Sequence, residues 1–387
     1  MADAPSSPSS PAPGQPGSDN SPSTTPPTVE ELQQAARARK RKASDPDDDE
    51  ETTYKWYGRN LARSCGIFTR IHTIVEYGVK LELSDTEGRT PTAEQKRLEA
   101  SWEIIKNTIP GFADDMIDLG GDVRLRKAAC SAVQRGVKGG RGDDCGGLKG
   151  KVIEYLLPPP PPGSKEPPAA LTPPIPKCGV KAPRGMNHAV TAAALRPLKY
   201  PDAPETYIAI INNDEKFPVL SSLLPAFMYP AGHAYNEDDL DDGLCDNHIM
   251  RAVAKHVYQG PSSAQEKPGF SRGKAGNAAL NGVTALTARD IAYVACQTRF
   301  AISSEEGWTG TDGDFSYEEF YWKIVGLLDG EDGKVIVDRF TYDVFGSATA
   351  QNSAAATTDT PADEFEILQR QRAAKRQRAE AAAAAAA

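Results

Sequence analysis

Cys245-x-x-His248, with His233 and His256 close by, is the grouping in this chain that most invites a metal ion. Structural zinc asks for four nitrogen or sulfur ligands at tight, paired spacing. His248 and His256 are eight positions apart, about two turns and roughly 12 Å along a helix, so the spacing favours ordinary helix histidines. A second lure is Trp308-Thr-Gly-Thr-Asp-Gly-Asp-Phe-Ser-Tyr-Glu-Glu-Phe320. Its second half fits a calcium loop, with Asp312, the turn glycine Gly313, an apolar Phe315 and Glu319 at the closing position. The first half does not, because Trp308 and Gly310 stand where side-chain oxygens are required. The stretch predicts instead a capped helix start, with Ser316 as N-cap and Glu319 as its reciprocal partner.

Phosphate chemistry is the next candidate. The string Lys138-Gly-Gly-Arg-Gly-Asp-Asp-Cys-Gly-Gly-Leu-Lys149 combines glycines with cations, and backbone amides at such a junction can cradle an anion. It holds neither of the usual nucleotide fingerprints, and two aspartates at a helix start oppose an anion. The local reading is structural: glycines 136, 139 and 140 end one helix, and Asp143 or Asp144 caps the next. No cofactor is implied and no catalytic residue is assigned.

Upstream, Arg124, Arg126, Lys127, Arg135 and Lys138 fall on or just after one helix and suit phosphate-backbone contacts. Solvated helix surface is the reading the pattern favours over such a patch, since no aromatic residue interleaves with the charges. Arg141, Asp143, Asp144, Asn187 and His188 form a polar set that would make an enzyme site if the fold gathers them in one cleft.

The elements that must position these groups follow from periodicity. Apolar residues three and four apart from Trp56 to Val79 read as helix. A second helix begins at Thr90-Pro91-Thr92 and stops at Pro110-Gly111, a short piece covers Asp114 to Leu119, and Asp122 caps the helix carrying Val123, Leu125, Ala129 and Val133. Asn187 to Leu195, Pro204 to Ile211, Asn247 to Tyr258, Thr287 to Ala301 and Tyr317 to Leu328 read as helices. Leu220 to Tyr229 is apolar but broken by prolines, and Val335 to Phe345 fits strand or helix. The expected class is mostly α: a single irregular multi-helix domain over 54–346, interrupted by a proline-rich loop at 157–183 and flanked by disordered arms.

The arms carry the charge. The chain has 387 residues and a formal net charge of -9, but the charges are sorted into blocks. Arg37, Arg39, Lys40, Arg41 and Lys42 lie in the front arm, 1–52, directly before the acidic run 45–51. Arg370, Arg372, Lys375, Arg376 and Arg378 lie in the low-complexity tail, 347–387, whose composition also suits a helix. Basic runs on free arms suit importin grooves or nucleic acid, so the expected address is nuclear, with an importin-type receptor as partner. Within the body, the acidic stretch 236–246 runs opposite in sign to 121–151, and the two are expected to pair or to stay solvated. Ser44, followed by Asp47, suits an acid-directed kinase whose phosphate would modulate import. Six cysteines without CxxC spacing fit reduced thiols inside a cell. No secretory signal is seen at the start, and no run is long enough to span a bilayer.

Several strings in order carry a likeness: Lys138-Gly-Gly-Arg-Gly-Asp-Asp144, Arg184-Gly-Met-Asn-His188, Pro225-Ala-Phe-Met-Tyr-Pro230, Lys255-His-Val-Tyr-Gln-Gly-Pro-Ser-Ser-Ala264, Asn281-Gly-Val-Thr-Ala-Leu-Thr287 and Ile291-Ala-Tyr-Val-Ala-Cys-Gln297. Over 54–330 the chain resembles a family of mushroom-forming (basidiomycete) fungal proteins known only as a domain of unknown function. The resemblance implies a fungal source and one continuous domain, and carries over no catalytic residue, cofactor or partner. The sequence thus leads to an expectation of a nuclear, nucleic-acid- or chromatin-associated binding module. A protein-interaction scaffold is the alternative, and an enzyme with an unrecognised site comes third.

Overall fold

The computed structural model describes residues 46–65, 67–84, 89–159, 169–176, 179–264, 276–346, 365, 368–373 and 375–376. Its elements are almost all helices, as the periodicity predicts. The front cluster Arg37–Lys42, Ser44, Cys178, Arg378 and the prolines at 160–162 lie outside the described residues.

The first helix, α1 (Pro46–Ser64), starts before the expected boundary, so the acidic run assigned to the arm forms its opening turns. Proline is suited to the first helical position, where its missing N–H is no loss. Next come α2 (Ile71–Glu82) and α3 (Ala93–Thr108), the latter closed by a reciprocal cap between Thr92 and Gln95. After α4 (Phe112–Asp118), α5 spans Val123–Lys151, with the Asp122 carboxylate accepting from the backbone of Arg124 and Leu125 at 3.1 Å.

This 29-residue helix overturns the expected stop at glycines 136, 139 and 140 and the cap at Asp143 or Asp144. An interior glycine costs a helix about 1 kcal/mol relative to alanine, so packing must offset the loss. It does so against α1, which runs parallel to α5. A Cβ on Gly136 would sit 2.2 Å from the Lys55 carbonyl oxygen, and one on Gly140 would sit 2.3 Å from that of Arg59. Gly58 faces the same seam, where an added Cβ would sit 2.2 Å from the Val133 oxygen. The four-residue steps 55, 59, 63 and 136, 140, 144 keep one register, the stacking expected when i±4 ridges of two helices meet.

Beyond the 3-10 turn Val152–Tyr155, a second turn at Gly185–Asn187 leads to α6 (Ala189–Leu195) and α7 (Pro204–Ile211). The segment expected to be buried and irregular holds only the 3-10 turn Ala226–Met228. Then come α8 (His248–Tyr258), the short α9 (Pro261–Ala264) and α10 (Asn277–Asn281), and α11 (Ala288–Ile302). A two-residue hairpin, β1 (Thr311–Asp312) with β2 (Phe315–Ser316), turns through Gly313 at φ +60° and leads into α12 (Tyr317–Leu328). The ambiguous last segment is a helix, α13 (Glu331–Phe345).

All of α11 is buried. It serves as the axis on which α5, α8, α12 and α13 pack, and the hydrophobic core runs as one cluster from Tyr54 to Leu368. Since α11 also carries Arg289, Asp290, Gln297 and Arg299, their polar groups need partners inside the protein. Arg289 donates to the Cys65 carbonyl at 2.9 Å and to Ser101 Oγ at 2.8 Å. Arg299 pairs with Asp312 at 2.8 Å and lies 3.7 Å from the Phe315 ring centre.

Candidate functional site

Helix α5 has an outer face, and four of the five expected phosphate contacts share it. At 100° per residue, positions 124, 127, 135 and 138 fall within an arc of about 80° and span about 21 Å. Arg124, Lys127, Arg135 and Lys138 are all exposed. Among the described residues, Arg124, Lys127 and Lys138 make no ion pair. Arg126 points elsewhere and donates to the Gly120 carbonyl. The continuity of α5 through its glycines is what brings Arg135 and Lys138 into line with the first two.

The inner face carries the opposite chemistry. Asp144, expected at a helix start, is buried in mid-helix and holds Arg63 of α1 in a fork, Nε to Oδ2 at 2.9 Å and Nη2 to Oδ1 at 2.7 Å. Tyr293 of α11 donates to the same carboxylate at 2.7 Å. Burial alone would lower the Arg63 pKa, and the facing carboxylate more than offsets it, so the guanidinium is held above its ordinary value. A neighbouring pair repeats the design: Tyr258 donates to Asp290 at 2.6 Å, and Asp290 also accepts from the Thr287 backbone at 2.8 Å and its hydroxyl at 2.6 Å. Burial raises Asp290 even so.

Arg63, Tyr258 and Asp290 reach a cleft of about 590 Å³, whose rim adds Asp329, Lys334 and Asp338. Burial also raises Asp329. Asp290, the acid on its floor, is taken up by structural donors, as is Asp144 behind Arg63. Sequence reasoning missed Arg63, Tyr258, Asp290 and Tyr293. Only the spacing Thr287-x-x-Asp290 offered a signal, and it signals a cap rather than a network.

Each residue of the polar set expected to mark an enzyme site has a structural partner of its own. Arg141 lies over Trp308, 5.2 Å from the ring centre, Asp143 pairs with Arg59, and Asp144 is held by Arg63. Asn187 donates to the Ala182 carbonyl at 2.9 Å. His188 accepts from the Val190 backbone at 3.1 Å, capping α6, and its other nitrogen lies 2.8 Å from the Pro173 oxygen. Consecutive helical positions point about 100° apart, so neighbours in sequence serve different surroundings.

The string around His188 has a structural task. Arg184 donates to the Ala301 carbonyl at 2.8 Å, and Lys181 donates to the carbonyls of Phe300 and Glu305, so both cations close the C-terminal end of α11, where the helix dipole is negative. Burial and the nearby Arg184 bring Lys181 down to about 8. Gly185, at φ +67°, lets the chain pass Ser304.

The histidines and cysteines are likewise separate. His233 stacks on Tyr229, His248 lies 3.3 Å from the Leu156 oxygen, and His256 lies 2.9 Å from the Tyr155 hydroxyl. Among the described residues no three metal-ligating side chains converge. At the calcium-like stretch, Asp312 is taken by Arg299, and Ser316 accepts from the Glu319 backbone at 3.3 Å. A second cavity, about 920 Å³, lies between the proline-rich segment and α8, with His248, Arg251 and Lys255 on its wall.

The tail corrects the expectation of a free arm. Residues 365, 368–373 and 375–376 are helical, and Phe365, Leu368 and Arg372 are buried. Arg372 Nε and Nη2 meet Asp241 at 2.9 and 2.7 Å, Lys375 meets Asp239 at 2.7 Å, and Arg376 meets Asp332 at 2.7 Å. The rear basic cluster is thus a partner of the acidic stretch 236–246. Only its apolar residues distinguish it from a solvated basic run.

No helix among the described residues is long and apolar enough to cross a membrane. No curated protein and no solved structure matches the chain. A family profile matches residues 135–341, from the middle of α5 into α13 and just over half of the chain, so the chain belongs to a family of unknown function (DUF6698).

Proposed function

We propose that the chain is a nuclear, nucleic-acid-associated binding module in which the outer face of α5 makes sequence-independent contacts to a phosphate backbone. The observation that supports this is the row of exposed Arg124, Lys127, Arg135 and Lys138 on one side of a single helix. Cations so arranged displace the counterions condensed on a nucleic acid, and affinity then falls with salt. On this reading the front cluster, Arg37 to Lys42, supplies the address through an importin-type receptor.

The test is fluorescence anisotropy of the full chain against a short labelled duplex over a salt series. Binding should weaken steeply with salt, and Lys127→Glu with Lys138→Glu should weaken it about tenfold or more while lowering the salt slope by about 1 per residue. No binding at low salt, or an unchanged slope in the double variant, would sink the reading.

A further inference from the structure

We infer that the loop 236–246, the end of α12 and the start of α13 form a docking groove for a basic amphipathic helix, and that the chain's own tail helix fills it. While docked, this helix withholds the rear basic cluster from receptors and phosphates. The inference stands apart from the nucleic-acid reading, since it concerns a different surface.

The groove reads the helix in two ways. Phe365, Leu368 and Arg372, 3 %, 0 % and 6 % exposed, follow an i, i+3, i+7 spacing and so share one face. Phe365 lies edge-on to Phe320 of α12, 6.4 Å between centres. Beside this apolar seat the polar contacts are selective. The Asp241 carboxylate takes the Arg372 fork, and the remaining Arg372 nitrogen donates to the Leu327 carbonyl at the end of α12. Gln371 accepts from the Leu240 backbone at 3.0 Å and donates to the Glu237 carbonyl, so one amide satisfies both groups of the loop.

Lys375 and Arg376 add their pairs with Asp239 and Asp332 at the exposed rim. Lys375 holds Asp239 below its usual value, as a carboxylate with a committed cation should be. A planar guanidinium in a fork cannot be replaced by an ammonium without loss. The ligand chemistry is therefore defined: an apolar residue, a second three positions on, an arginine four beyond that, and flanking cations.

Cis occupancy is supported by chain continuity. The tail helix resumes 19 positions after Gly346, the end of α13. At about 3.3 Å per residue that length reaches roughly 60 Å, ample to return to the groove of the same molecule. Receptors that take basic clusters in acidic grooves need the same side chains, so docking and receptor binding exclude each other.

The experiment compares the full-length wild type with a full-length Leu368→Asp, Arg372→Ala variant, using a fluorescein-labelled peptide of residues 363–380. The peptide should bind the variant at least about tenfold more tightly than the wild type, because the wild-type groove is filled. Its Arg372→Lys version should bind more weakly. Equal binding to both chains, or none to the variant, overturns the inference. A wild-type dimer seen by light scattering and lost in the variant also overturns it, by placing the helix in a second copy.

Should the variant fold poorly, trypsin cleavage of the wild type after Arg370 to Lys375 gives an independent reading. Cleavage there should accelerate between about 0.05 and 0.5 M salt, as screening loosens the rim pairs, relative to cleavage in the front basic cluster. An unchanged ratio overturns the docked state.

Discussion

The two sides of α5 obey different rules. Its inner face is read by backbone and by buried charge: Gly136 and Gly140 let α1 approach, and Asp144 completes the same four-residue ladder with a paired carboxylate. Its outer face is read by solvent, so Lys127, Lys138 and Gly142 stand there with nothing packed over them. Glycine and charge occur on both sides and mean opposite things on each. What decides the meaning is whether another backbone lies within reach.

The sharpest break of this comparison is Asp144→Ala, which strands the Arg63 guanidinium in the interior. Losing one partner of a buried pair costs about 3–5 kcal/mol, and Arg63 also loses its only fork. Urea unfolding should report a loss of this size for Asp144→Ala and less than about 0.5 kcal/mol for Lys138→Ala on the outer face. Replacing both partners, Arg63→Met with Asp144→Leu, should recover much of it. Equal losses at positions 138 and 144 would erase the distinction between faces.

A second break uses pH. His256 packs beside Gly147 of α5 with Nδ1 2.9 Å from the Tyr155 hydroxyl, and burial pushes its pKa down from the ordinary 6.5 to about 4. A base whose folded pKa is depressed binds protons more readily when unfolded. Its neutral form therefore contributes full stability above pH 6.5, and that stability falls as pH drops from 6.5 towards 4. At 1.36 kcal/mol per unit the loss reaches about 3 kcal/mol. His256→Gln should flatten this part of the stability profile, and a profile identical to wild type would refute the assignment.

A third test is steric. Gly136→Ala forces a methyl group against the Lys55 carbonyl oxygen, at 2.2 Å before relaxation. Overpacking of this kind costs typically about 1–3 kcal/mol, and a backbone oxygen cannot rotate away as a side chain can. The thermal midpoint should drop accordingly.

Much of the helical frame was legible because periodicity and caps are local. Ser316 caps where expected, the helices expected from Asn247 and Thr287 start there, and α7 and α12 have the predicted bounds. The row of cations from Arg124 to Lys138 was also visible as spacing. The glycine run was not legible, because a glycine that ends a helix and one that admits a neighbour look alike in sequence, and the neighbour, α1, is about 80 residues away. Asp144 was misplaced with it, since a carboxylate beside glycines resembles a cap. In the tail a helix was among the expectations, but Phe365, Leu368 and Arg372, which seat it, were not picked out as one face. Its partner, the acidic stretch 236–246, was visible as a charge block, but charge alone does not say which basic block it meets. Apolar anchors settle that, and α5 offers none on its outer face beyond the exposed Val123 and Leu125 near its start.

The smallest expected effect separates the faces most cleanly, because it uses one substitution with opposite signs. Gly142 lies on the outer face, and a Cβ built there meets nothing within 4 Å. Alanine at such a site removes unfolded-state freedom without adding a clash, so Gly142→Ala should stabilise by about 0.5–1 kcal/mol. The same change two positions away, Gly140→Ala, meets the Arg59 carbonyl at 2.3 Å and should destabilise. Denaturant midpoints measured side by side should therefore move in opposite directions. A shift of the same sign at both positions would mean that α5 is held by its own helical preference rather than by the parallel seam with α1, and the row of cations at 124 to 138 would lose the rigid support that keeps it aligned.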